Sequence, residues 1–307
     1  MMRPEEFKAR IKTVIGFPVT PFRATLELDL DGLKQNLRAM ADSGFSAAVV
    51  CGGTGELYSL TMEEHRDCIR AAVQTVGDRM VIIAGVGYGV TIATALARAS
   101  QDEGADGILI LPPYYTNADP DGMFAYYKAI ADSVQLGVFP YARDWAVLSP
   151  DLVERLTTIP NVVAFKDGQG DLRAFSRIRH RVGPKIVWLG GVGDDMVGGY
   201  FAAGAEGFTS SVSNFIPDVA LQLLRLAQQG DYRAVEKLTA EKIQAYYDLR
   251  VRRRGYEVSV VKETMNILGM PAGPVRPPLI DVAPADRVTL LAIMDRMGLR
   301  MPVGSRT

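Results

Sequence analysis

The sequence predicts an α/β protein built as a TIM (β/α)8 barrel with a C-terminal helical extension. Three observations carry that prediction. Short β-branched runs alternate with longer segments of helical period, those runs number eight, and beyond about residue 215 only helical periodicity remains. A chain of 307 residues is long enough for a barrel of roughly 250 residues with an appendage.

The strands are expected at VIGF (14 to 17), AAVV (47 to 50), MVIIAG (80 to 85), GILIL (107 to 111), LGVFPY (136 to 141), VVAFK (162 to 166), KIVWLG (185 to 190) and GFTS (207 to 210). Helices are expected between them at 30–42, 61–75, 91–103, 119–132, 149–157, 171–180 and 194–203. Thr61 followed by Glu64 is a capping-box pattern, and Ser149 before Pro150 has the order of a helix start. The intervals are short and no linker interrupts them, so residues 1–215 read as one barrel and not as a doubly wound pair. Residues 216–307 read as helices at 217–229, 231–252, 258–269 and 284–297, packed on that barrel. GMPAGPVRPP (269 to 278) breaks them and suits an ordered surface loop as well as a flexible linker.

Composition removes whole classes of function. Apolar residues at 48% and charged residues at 22% exclude a disordered chain or a charged rod. Thirty-four basic against 35 acidic residues give a formal charge of -1, which offers no general attraction to nucleic acid or an anionic membrane. Cys51 and Cys68 cannot make a disulfide framework, and with only His65 and His180 no zinc cluster is expected. The expectation is chemistry with no metal and no cofactor. The opening MMRPEEFKARIK lacks the apolar core of a secretory signal, and no apolar stretch is long enough to span a bilayer, so a cytoplasmic location is expected.

The motifs gather at expected strand ends, the face on which barrel enzymes place their sites. FPVTPF (17 to 22) is a shaped loop that either closes the barrel end or packs beneath a reactive group and places Thr20. CGGTGELYSL (51 to 60) offers backbone N–H groups and the Thr54 hydroxyl to a carboxylate; it is no P-loop, and GVGYG (85 to 89) does not fit a dinucleotide fingerprint. Lys166 closes an apolar strand, where burial favours the neutral amine that Schiff-base chemistry requires, unless the side chain merely reaches out to solvent. Tyr141 ends the preceding strand, Arg143 follows it, and Tyr114 and Tyr115 follow the strand before. The tyrosines suit proton transfer or rim packing; Arg143 suits a carboxylate clamp or an ion pair with Asp144. GGVGDD (190 to 195), with Gly193, and TSSVSN (209 to 214), with Thr209, Ser210 and Ser211, suit either an oxygen-rich ligand or helix capping. Taken jointly, a lysine ringed in barrel order by Tyr, Arg, Thr and Ser describes an imine-forming site for a keto acid.

FPVTPF, GGTGE, PPYY, the strand ending in Tyr141 and KDGQGD resemble the class I aldolase-like family of dihydrodipicolinate synthase and N-acetylneuraminate lyase, from about residue 12 to 300. Within it, YARD (141 to 144), AVLSPD (146 to 151), FKDGQGD (165 to 171), RRRGY and VSVVKETMNILG resemble a branch of decarboxylating dehydratases for a keto sugar diacid. The resemblance implies that Lys166 is the Schiff-base lysine, Tyr141 the proton relay, and Gly53 with Thr54 the loop holding the 2-oxo-carboxylate end. Tyr115 would correspond to the tyrosine that crosses to a neighbouring subunit. It also implies a homotetramer made of tight dimers, and conversion of 5-dehydro-4-deoxy-D-glucarate to 2,5-dioxopentanoate, carbon dioxide and water. The synthase pattern departs at Gly53, where it has Thr, at Ala146, where it has a carboxylate-binding Arg, and at Ala142, where Asn is usual. Rival expectations are a 2-keto-3-deoxy sugar acid aldolase, a pyruvate-condensing synthase, and a catalytically silent binding barrel.

Overall fold

Eight parallel strands hydrogen-bond in chain order and close on themselves: β1 (Val14–Gly16), β2 (Ala47–Val50), β3 (Val81–Val86), β4 (Gly107–Ile110), β5 (Gly137–Ala142), β6 (Ala164–Asp167), β7 (Val187–Gly190) and β8 (Gly207–Ser210). Closure is made by β8 against β1, with Val14 opposite Phe208 and Gly16 opposite Ser210. This computed structural model describes residues 4–299; the ends of the two expected regions, 1–3 and 300–307, lie outside the described residues.

The helices are α1 (Pro4–Arg10), α2 (Leu30–Asp42), α3 (Met62–Val76), α4 (Val90–Asp102), α5 (Pro120–Ala131), α6 (Pro150–Leu156), α7 (Leu172–Val182), α8 (Val197–Ala202), α9 (Pro217–Gln228), α10 (Tyr232–Lys242), α11 (Gln244–Arg250), α12 (Tyr256–Ile267) and α13 (Pro284–Met297). The Thr61–Glu64 capping box opens α3 with both reciprocal hydrogen bonds, and Ser149 Oγ accepts from Leu152 N at 3.2 Å to start α6. The 269–278 loop is ordered: Arg276 grips both Glu64 oxygens, at 2.6 and 2.8 Å, and donates to Leu26 O and Ser59 O.

Three elements differ from the sequence pattern. The short helix α1 was not expected. Its Pro4 start, acidic first turn and basic last turn suit the helix dipole, and its Phe7 ring meets Phe139 at 5.6 Å at the amino end of the barrel. The expected helix 194–203 begins as a tight turn at Asp194–Met196 before α8. The expected helix 231–252 breaks at Ile243, whose ψ of -47° is helical but whose φ of -119° is not. The break re-aims α11, so that Tyr247 and Arg250, three residues apart on one face, meet the barrel mouth.

Side chains alternate across the barrel wall. Ile15, Val49, Ile83, Leu109, Phe139, Ala164 and Leu189 fill the interior, while Val50, Ile82, Ile108, Phe165 and Trp188 face the helices. Residues of α9 to α13, among them Leu223, Tyr246, Met265 and Leu290, share the outer core. No helix among the described residues is long and apolar enough to cross a membrane.

Candidate active site

Tyr141 and Lys166 are register partners on β5 and β6, two residues beyond the inward-facing Phe139 and Ala164. By the period of two both side chains point into the barrel above its last apolar layer. Lys166 is 2% exposed; its Nζ donates to Gly191 O at 3.1 Å, stands 3.3 Å from the centre of the Tyr141 ring and 5.3 Å from that of Phe17. FPVTPF therefore does pack beneath the lysine, while Thr20 Oγ1 donates to Gly55 O at 2.7 Å and steadies the GGTGE loop. Burial drives the Lys166 amine well below its ordinary pKa, Arg143 adds repulsion, and only Asp167 opposes. Burial pushes the Tyr141 phenol up to about 12, against the charge of Arg143.

Two glycines make this geometry possible. A Cβ on Gly191 would stand 2.8 Å from Lys166 Nζ, and one on Gly168 would stand 2.8 Å from the Tyr141 hydroxyl. The glycines of KDGQGD and GGVGDD thus serve the lysine and the tyrosine through space that a methyl group would occupy.

A pocket of about 420 Å³ opens over Lys166. The structure brings Gly53, Thr54, Tyr141 and Arg143 to it from one side, and Gly193, Thr209, Ser210 and Ser211 from the other. Arg143 also makes the surface pair expected as its alternative, with Nε 3.2 Å from Asp144 Oδ1. Ser210 Oγ accepts from Ser213 N at 3.0 Å, so capping and pocket lining coexist there. Tyr115 is not brought to this pocket. It is 92% exposed, with Tyr114 at 77%, and both line an adjoining hollow of about 350 Å³ that shares Tyr141 and Arg143 with the first.

The sequence reading missed the contribution of the C-terminal helices. Tyr247, Arg250 and Glu257 line the pocket from α11 and α12. Tyr247 OH donates to Asp194 Oδ2 at 2.6 Å and accepts from Asp194 N at 2.8 Å. Burial raises the Asp194 carboxyl above the usual range, against hydrogen bonds that include the one from Tyr247. The basic run around Arg250 was a signal, but its aim depends on the break at Ile243, which leaves no mark in the hydrophobic period.

A buried ion pair holds the GGTGE loop. Glu56, in a left-handed backbone conformation and fully buried, lies 2.5 Å from Lys262 Nζ on α12 and accepts from Arg276 N at 3.0 Å. Glu56 N in turn donates to Gly53 O at 3.1 Å, which ties the pair to the pocket-lining glycine.

Comparison with known proteins places nearly the whole described fold in one family. The model of the dihydrodipicolinate synthetase family matches residues 10–297. A probable 5-dehydro-4-deoxyglucarate dehydratase of Saccharopolyspora erythraea is 37% identical over 298 residues, covering 96% of either chain. One of the same name from Pseudomonas putida is 38% identical over 301 residues, covering 97% of this chain and 99% of that one. Among solved structures, dihydrodipicolinate synthase from Oceanobacillus iheyensis superposes with a TM-score of 0.93 at 28% identity, over 97% of this chain and all of that one.

Proposed function

The chain belongs to the dihydrodipicolinate synthetase family and is an enzyme of the hydro-lyase class, and from that premise we propose that it dehydrates and decarboxylates 5-dehydro-4-deoxy-D-glucarate through a Schiff base on Lys166. The observation that carries the proposal is a buried lysine with no carboxylate within ion-pair distance among the described residues, facing a tyrosine in a pocket at the strand ends. The names of the relatives supply the substrate.

The neutral Lys166 amine attacks the C5 ketone, and water leaves to give an iminium. That cation acidifies C4. Loss of a C4 proton gives an enamine, and expulsion of the C3 hydroxyl gives an iminium conjugated through C3 and C4. The electron pair of the C1–C2 bond then flows into this sink as carbon dioxide departs. Protonation at C4 and C3, ketonisation of the C2 enol and hydrolysis of the imine release 2,5-dioxopentanoate and free Lys166. The net change is loss of one water and one carbon dioxide.

Tyr141 is suited to move protons during imine formation, because its ring lies against the amine and burial keeps the phenol protonated. Gly53 and Thr54 are the proposed seat of the C6 carboxylate; a Cβ on Gly53 would meet nothing within 4 Å, which leaves room there for ligand. Gly193, Thr209 and Ser210 face the remaining oxygens, and Arg143 acts at the mouth on Tyr141 and Lys166. The exposed Tyr114 and Tyr115 support assembly as a dimer of dimers in which Tyr115 enters a neighbour's site.

Incubation with 5-dehydro-4-deoxyglucarate, following carbon dioxide and the aldehyde, tests the reaction. Release of pyruvate instead would assign a retro-aldolase. Borohydride during turnover is expected to fix substrate on Lys166, and Lys166→Ala to lose both adduct and turnover; an adduct on Lys262 would refute the assignment.

A further inference from the structure

We infer that Arg250 selects a substrate with a second carboxylate, acting through the hydroxyl of Ser211. This rests on the diacid reading above and names the group that reads the end of the substrate remote from the imine.

Arg250 is 7% exposed and lines the pocket. Its guanidinium donates from Nη1 to Ser211 Oγ at 2.7 Å and from Nη2 to Glu257 O at 2.9 Å, while Nε makes no hydrogen bond. Its Cζ lies 4.4 Å from the centre of the Tyr247 ring. Among the described residues no carboxylate stands within ion-pair distance of it. Of the carboxylates nearby, Asp194 engages Tyr247 OH and Ser211 N through Oδ2 and Glu257 engages Gly255 N, while Asp194 and Asp195 act on Arg250 only from beyond ion-pair distance. A buried cation whose direct contacts are only neutral oxygens and a ring is costly until an anion reaches it. Arg143, by contrast, already has Asp144.

The hydroxyl of Ser211 is the contact surface. Its oxygen accepts from Arg250, which leaves its proton to be donated. The other hydroxyl beside it, Tyr247 OH at 3.3 Å, spends its own proton on Asp194 and already accepts from Asp194 N at 2.8 Å, so a carboxylate is the better acceptor for the Ser211 proton. A carboxylate oxygen entering the pocket would therefore meet a donor polarised by a positive charge one bond behind it. This arrangement also suits decarboxylation. A guanidinium fork bound directly to the departing carboxylate would stabilise the ground state against loss as neutral carbon dioxide, whereas a hydroxyl gives up less when the charge leaves. Arg250 is thus a positioning residue, and Ser211 the group that touches substrate.

The test compares two six-carbon 2-oxo acids that cannot be dehydrated, 2-oxoadipate and 2-oxohexanoate, by borohydride trapping on Lys166 read as intact mass. Wild-type protein is expected to half-saturate with 2-oxoadipate at a concentration about 10- to 100-fold lower than with 2-oxohexanoate, the scale of one hydrogen bond to a charged group. Arg250→Met is expected to lose that preference, half-saturation by 2-oxoadipate rising about 10- to 100-fold more than that by 2-oxohexanoate, and Arg250→Lys to restore part of it. Ser211→Ala should lose the preference in parallel, and it carries the test if Arg250→Met does not fold. Equal loss for both acids would make Arg250 a purely structural residue. A preference kept in Arg250→Met, or none in wild type, would also overturn the inference. A wild type that prefers 2-oxoadipate yet releases no carbon dioxide from 5-dehydro-4-deoxyglucarate would refute the proposed reaction and leave this assignment standing.

Discussion

Replacing Gly191 by alanine tests whether the lysine's position, and not only its identity, makes it reactive. A Cβ at this position would stand 2.7 Å from Lys166 Cγ, 2.8 Å from Lys166 Nζ and 2.7 Å from Asp167 O. Ordinary carbon contacts fall near 3.5–4.0 Å, so something must yield by roughly 1 Å. Asp167 O belongs to the β6 backbone and accepts from Tyr200 OH at 3.2 Å, so it is the less movable neighbour. The lysine side chain is the one that shifts. Overpacking of this kind costs about 1–3 kcal/mol of stability, and a misplacement of about 1 Å at a reacting group costs about 100-fold in rate. The expected result is a folded Gly191→Ala protein with a lowered denaturant midpoint, in which borohydride trapping of pyruvate on Lys166 is about 100-fold slower. Gly53→Ala is the control, because a Cβ there meets no atom and stability should not change. Trapping by Gly191→Ala at the wild-type rate would show that the close approach of Gly191 has no part in presenting the amine.

Tyr141→Phe is expected to keep the circular-dichroism spectrum and to lose about 100-fold or more in turnover, the scale of a missing acid–base group; wild-type turnover would move the proton relay elsewhere. His65 lies buried with Nε2 2.9 Å from Gly85 O, and burial depresses its pKa from 6.5 to about 4. Because the unfolded chain then binds a proton that the folded one refuses, stability should fall as pH drops from 6.5 towards 4, by about 2 kcal/mol between pH 7 and 5. Denaturant midpoints at the two pH values measure it, and His65→Gln should remove that share of the slope. Lys262→Met should cost about 3–5 kcal/mol by stranding the buried Glu56 carboxylate, and adding Glu56→Gln should recover much of it. Additive losses in unfolding experiments on the single and double variants would refute that coupling.

The barrel was legible because its strands are short, apolar and set off by turn residues, and because local chemistry such as the Thr61–Glu64 box marks where helices start. Sites on strand ends inherit that legibility: once β5 and β6 are placed, Tyr141 and Lys166 must be neighbours. What the sequence withheld depends on contacts far apart along the chain. The interior partner of Phe7 is 132 residues away in Phe139, and a seven-residue helix has too few turns to declare a period. Arg250 sits in a run of basic residues that reads as a solvated face, and only the break at Ile243 turns it inward. Tyr115 was placed by analogy, and within one chain it faces an adjoining hollow instead of the lysine.

Two lysines are buried to nearly the same degree, and their surroundings decide which can carry imine chemistry. Lys262 lies against the Glu56 carboxylate, donates to Pro274 O at 2.9 Å and stands 4.1 Å from the centre of the Phe22 ring. Burial lowers its pKa to about 8, but the carboxylate opposes that shift and keeps the ammonium in place as a structural tie. Lys166 has a carbonyl, two rings and the repulsion of Arg143. Its ammonium is therefore poorly served by these surroundings, and burial favours the neutral amine with its lone pair free. In the proposed imine the positive charge would return on the same nitrogen, over the same Tyr141 face, but beside the carboxylate that the keto acid brings with it. The site would thus be better matched to that iminium with its attached carboxylate than to the free ammonium. Under the proposed reaction that difference, and not burial alone, is what would turn a hidden lysine into a catalyst.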